Sequence, residues 1–194
     1  MALSRRSIVV FTSIAFIKDN GISGASIFPL ALSDVDGLLR LYLSNDRDEM
    51  ASTLPGGSRF QWAMARIGDD VLDEIAPAAV SVIKVDVEGA ELAVLRGLTR
   101  SISKWRPAIV FEQLPNFVGE ERIPIPPPKA AENTHSADEI LSHLRGHGYD
   151  VFQITDQGET RKIERFELDD PVNYVGHNYL ARPVSSQVRV SASA

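Results

Sequence analysis

The longest coherent hydrophobic pattern in the chain runs from residue 80 to residue 112, VSVIKVDVEGAELAVLRGLTRSISKWRPAIVFE. Residues 80–87 are almost continuously apolar and rich in β-branched side chains. That predicts a strand buried on both faces. Gly89 interrupts the run, and glycine lets the backbone turn sharply from strand into helix. From Leu92 the apolar positions follow a helical period through Leu95, Leu98, Ile102 and Trp105. Pro107 stops that helix, and a second apolar run, 108–111, ends in Glu112. The stretch therefore reads as strand, turn, helix, strand.

Around this unit the pattern is weaker. Residues 26–32 predict a strand, Asp34-Val35-Asp36-Gly37 a hairpin turn, and 38–43 the returning strand. Residues 45–60 are polar and broken by Pro55-Gly56-Gly57, which predicts a loop. Residues 61–67 read as a short strand. Asp69 or Asp70 is expected to cap a helix that runs through Ile75 and ends at Pro77. Residues 114–135, with the run IPIPPPK, are expected to be a lid or a solvated loop, because proline fixes φ and removes a donor. A helix over 138–145 with Ser136 as N-cap, a strand over 149–154, a polar connection over 156–171 and a last strand within 172–183 complete the pattern. The division expected is an atypical N-terminus over 1–15, one domain over 16–183 and a disordered tail over 184–194.

Composition narrows the class. The chain has 194 residues, 44% apolar and 24% charged, enough for one sizeable core. Its formal net charge is −6, without a basic patch, so no nucleic-acid partner is expected. Cysteine is absent, which excludes disulfides, thiol nucleophiles and thiolate metal sites. No apolar run reaches the roughly 20 residues needed to cross a bilayer, so no membrane partner is expected. Arg5-Arg6 followed by the apolar run 8–17 resembles an export signal, but no small-x-small cleavage site follows. A cytoplasmic location is expected.

The candidate chemistry sits at strand ends. Side chains alternate along a strand, so Lys84, Asp86 and Glu88 point the same way if the strand continues. Asp86 and Glu88 fall at the carboxyl end of the first strand and Glu112 at that of the second. In open parallel sheets ligands bind off those ends, so three carboxylates converge on one rim. Asp86, Glu88 and Glu112 are the candidate catalytic residues, with Asp86 first. The alternative for Asp86 is structural: it caps the following helix or pairs with Lys84. Glu91 is read as stabilising a helix N-terminus. His143 and His147 lie four apart on one helix, but no third ligand is evident, and no metal site is predicted.

At IKVDVEGAELAVLRGL followed by RPAIVFE, the sequence resembles the FkbM-type methyltransferases, which are S-adenosylmethionine-dependent and mostly act on oxygen. The resemblance implies an α/β fold: an incomplete doubly wound, Rossmann-like class I methyltransferase sheet lacking its first two strands. No segment resembles the glycine-rich first strand that cradles the methionine part of S-adenosyl-L-methionine. Ala31, Leu32, Ser33 and Asp34 match the family's segment beside the adenine and are the expected cofactor-binding residues. The implied reaction is methylation of a hydroxyl on a small-molecule acceptor or sugar. The alternative is a truncated, non-catalytic remnant that does not hold cofactor alone.

Overall fold

Two sheets of different character organise the protein. A computed structural model describes residues 17–43, 51–52, 60–87, 89–118, 123–169 and 177–184. Of the export-like run over 8–17 all but Ile17, of the tail over 184–194 all but Val184, and Glu88 lie outside the described residues.

In chain order the elements are β1 (Ala31–Ser33), β2 (Gly37–Leu43), β3 (Ala51–Ser52), β4 (Phe60–Ile67) and α1 (Gly68–Ile75). There follow β5 (Val82–Val85), α2 (Glu91–Gly97), α3 (Thr99–Trp105) and β6 (Ala108–Glu112). The last group is β7 (Phe117–Val118), β8 (Ile123–Pro124), α4 (Pro127–Gly146), β9 (Tyr149–Ile154), β10 (Thr160–Lys162) and β11 (Asn178–Pro183). The first sheet has the order β1-β4-β2-β3 and the second β10-β9-β11-β6-β5, while β7 and β8 form a small ladder of their own.

The expected hairpin between the first two strands is not formed. β1 pairs in parallel with β4, and β2 pairs antiparallel with β4 on its other side. β4 thus lies between the two strands that the turn connects. The Asp36 carboxylate serves this arrangement by accepting the backbone N–H of Ile67 at 2.8 Å. The strand expected over 26–32 is regular only from Ala31.

The strand-helix-strand unit exists with two differences. Its helix is broken at Leu98 into α2 and α3, and the Leu98 backbone (φ −109°, ψ 15°) is not helical. The expectation that the first strand is buried on both faces fails: within β5 only Val85 is buried, and Val82 is 62% exposed. The reason is topological. β5 is an edge strand, paired in parallel with β6 alone among the described residues.

The core lies on one face of the five-stranded sheet. Val85, Ile109, Phe111, Tyr149, Val151, Tyr179 and Ala181 cluster with Val94, Leu95, Leu98 and Ile102 of α2 and α3 and with Ile140, Leu141 and Leu144 of α4. The ladder registers put those strand residues on a common face. Phe111 and Tyr179 stack with centroids 5.6 Å apart, and Phe166 meets both edge-on. The fold is mixed α/β.

Two capping expectations change. Asp69 and Asp70 sit inside the first turn of α1, not at its N-cap. The buried Asp69 carboxylate instead caps the neighbouring helix, accepting the N–H groups of Arg100 (2.7 Å) and Ser101 (2.9 Å). α4 begins at Pro127, well before the expected start at 138. Proline at the first helical positions lacks an N–H that would have no intrahelical partner there, so the proline run starts the helix. Part of the expected loop over 114–135 is therefore helix.

Candidate active site

The site grows out of the β5–β6 pairing. Val85 lies opposite Phe111, so the next residues, Asp86 and Glu112, stand side by side at the carboxyl ends of two parallel strands. They share the face of Lys84, as the alternation predicts. Lys84 Nζ donates to Asp86 Oδ2 in an exposed ion pair. That hydrogen bond is the main reason the Asp86 carboxyl lies below the usual carboxylate range; partial burial opposes it, and a hydrogen bond with Glu112 adds to it. Asp86 thus pairs with Lys84, as its structural alternative expects, and stands on the rim of the two strand ends.

The turn after β5 is held from the helix side. Gly89 has φ +100°, a conformation that favours glycine. The buried Glu91 carboxylate accepts the N–H groups of Val87 (3.4 Å) and Gly89 (3.2 Å). An acidic group also suits the positive end of α2.

A cleft of about 640 Å³ opens between the two sheets. Its walls include Ala31, Leu32, Ser33 and Asp34 from the first sheet and Lys84, Asp86 and Val87 from the second. All four expected cofactor residues and the leading catalytic candidate therefore face one space. Ser33 is buried and its hydroxyl donates to Asp34 at 3.3 Å. Glu112 joins through its hydrogen bond with Asp86.

Three parts of the site were not anticipated. Leu39 and Leu41 line the cleft from alternate positions of β2, and their period-two spacing was the available signal. Arg96 lines it from α2 and donates to Glu139 at 2.9 Å. Gly97 fixes its width: a Cβ there would lie 1.9 Å from the Ser33 carbonyl oxygen. Only glycine lets α2 rest directly on the β1 backbone, and no local pattern announces that contact.

His143 and His147 stack with ring centroids 4.5 Å apart, and His147 Nδ1 lies 2.8 Å from the His143 carbonyl oxygen. Burial is the main cause that lowers the His143 pKa, with the neighbouring His147 adding to it. Among the described residues no three His, Cys, Asp or Glu side chains are grouped for a metal ion, and no helix is long and apolar enough to cross a membrane.

The lining can be tested against a nucleoside with a charged tail. Leu30, Leu32, Leu39 and Leu41 offer apolar contact for a flat ring, Ser33 and Asp34 offer acceptors for ribose hydroxyls, and Lys84 and Arg96 offer cations for a carboxylate. The volume lies within the usual range for a small-molecule site. The donor set therefore fits S-adenosyl-L-methionine in size and charge. A glycine-rich turn at the end of a strand beside β5 is absent among the described residues.

Parallel strands followed by acidic side chains, beside a cleft of nucleoside size, mark a mixed α/β domain. The family model of the methyltransferase FkbM domain matches residues 17–151. The chain belongs to that family. No curated protein and no solved structure matches it. The matched segment contains both walls of the cleft together with Asp86 and Glu112.

Proposed function

We propose that the protein is an S-adenosylmethionine-dependent methyltransferase that acts on a hydroxyl of a small molecule or sugar. The observation that carries this is the convergence of Ala31, Leu32, Ser33 and Asp34 with Asp86 on one cleft. S-adenosyl-L-methionine, when bound, supplies a methyl group on a positively charged sulfur. The chain's own residues bind and orient. Asp34 accepts hydrogen bonds from ribose hydroxyls. Asp86, kept ionised by Lys84, accepts a hydrogen bond from the acceptor hydroxyl, and the proton released at that oxygen enters the Asp86–Glu112 pair. A carboxylate with a lowered pKa is a weak base, so holding reactants in line contributes more than proton transfer. The reading includes a cytoplasmic enzyme, with a fold that is an incomplete form of the doubly wound methyltransferase sheet.

Calorimetric titration with S-adenosylhomocysteine tests the reading. Binding at 1:1, weakened by Asp34→Ala, is the expected outcome. A chain that melts cooperatively yet gives no binding heat would overturn it. That outcome favours a second reading, supported by the edge of β5 that no described strand pairs: the chain holds cofactor only when a further strand completes the sheet beside Val82.

A further inference from the structure

A second cavity, of about 700 Å³, lies across α4 from the cleft. Thr134 and Asp138 of α4 line it, whereas Ser136, between them in sequence, lines the cleft. One turn of helix therefore separates the two spaces.

A hydrogen-bonded network that begins at Gln113, the residue after Glu112, stands behind one wall of this cavity and reaches it at Asn116, Thr134 and Asp169. Gln113 Nε2 donates to Asn133 Oδ1 at 2.9 Å, and Asn133 Nδ2 donates to Asn116 Oδ1 at 2.8 Å. Asn116 Nδ2 donates to Thr134 Oγ1 at 3.0 Å and to Asp169 Oδ1 at 2.6 Å. The Asn116 backbone is engaged as well, with its N–H on Leu168 O and its C=O on Ile125 N–H, both at 2.9 Å. Asn116 and Gln113 are buried, and a buried amide is tolerated only when it is satisfied. Asn116 thus has every polar group committed to holding the wall rigid.

Thr134 accepts from Asn116 and lines the cavity. Asp169 and Asp138 add carboxylate acceptors. The opposite side is apolar, with Phe117, Ile125 and prolines 124 and 127. Among the described residues no Lys or Arg lines the space and His135 is its one basic side chain, so two carboxylates, Asp138 and Asp169, oppose an anionic ligand. A ring with an apolar face and several hydroxyls on its edge satisfies both walls.

We propose that this cavity binds a neutral monosaccharide unit. The site is separate from the cleft: α4 stands between the two spaces, and they share no lining residue.

Saturation-transfer NMR on the full chain tests this, with methyl glycosides of glucose, galactose, mannose and fucose as probes and the phosphates of the same sugars as anionic counterparts. At least one methyl glycoside is expected to give signal, and the phosphates less. Asp138→Ala, an exposed position, is expected to keep the wild-type melting temperature. It should weaken binding by about 10- to 100-fold, the loss expected for hydrogen bonds to a charged group. Thr134→Val should weaken it less. No glycoside signal in the presence or absence of S-adenosylhomocysteine would overturn the proposal, as would tighter binding of the phosphates. Glycoside binding without S-adenosylhomocysteine binding would leave this pocket standing and remove the cofactor reading. The reverse result would do the opposite.

Discussion

The two sheets use the same alternation and bury it differently. In the five-stranded sheet one face carries Ile109, Phe111, Tyr149, Val151, Tyr179 and Ala181, and helices cover all of them. In the four-stranded sheet the outward face of β2 and β4 carries Leu38, Phe60, Trp62 and Met64, with Trp62 56% and Leu38 67% exposed. There Phe60 meets Trp62 edge-on, and the Arg40 guanidinium lies over both rings at 5.0 and 5.1 Å. Apolar alternation thus marks which residues share a face. It does not say whether anything covers that face, because the cover comes from helices distant in sequence.

The contrast can be pressed by mutation. Phe111→Ala, in the covered sheet, is expected to cost about 3–5 kcal/mol, the range for an aromatic truncated in a core, measured by urea unfolding. Tyr179 sharpens the same point through pH. Burial, with a nearby Glu167 carboxylate, pushes its hydroxyl up to about 12 from 10.0. A folded-state pKa above the unfolded one means that this contribution to stability is complete below pH 10.0 and is lost as pH rises toward about 12. Unfolding free energy should fall across that window, by about 3 kcal/mol in total. Tyr179→Phe should flatten that part of the profile.

Where the two sheets meet, Gly97→Ala should cost about 1–3 kcal/mol as α2 is forced off β1. The same variant should weaken S-adenosylhomocysteine binding in the titration above. Asp69→Ala should cost about 1–2 kcal/mol, because two N–H groups at the start of α3 lose their acceptor. The smallest effect belongs to the uncovered face: Trp62→Ser should change stability by less than about 0.5 kcal/mol while lowering the tendency to associate, read by light scattering. A loss comparable to that of Phe111→Ala would show that the aromatic face is structural after all.

Much of the fold was legible where one element determined its own pattern. The strand at Tyr149–Ile154 matches its expected bounds, and the Gly89 turn and the second strand at Ala108–Glu112 lie where the sequence pattern put them. The pairing of Lys84 with Asp86 was legible from alternation alone. The misses share a cause. β4 inserted between β1 and β2, Asp69 capping α3, and Gly97 meeting Ser33 all depend on partners outside the local sequence window. Pro127 was misread for another reason: its chemistry forbids a helix interior but suits a helix start. The Asn116 network left no local trace, since its members come from three separate segments.

The order β10-β9-β11-β6-β5 also sets a timetable. The strand at the centre of the sheet is the one made last, so at synthesis the pairs β5–β6 and β9–β10 emerge without the strand that pairs with both β6 and β9. They wait for residues 178–183 to leave the ribosome. At about 5–20 residues per second, that leaves roughly one to five seconds between the completion of Ile154 and the arrival of Asn178. Throughout that interval the facing edges of β6 and β9 are open, and a second nascent chain competes for them with the strand still to come.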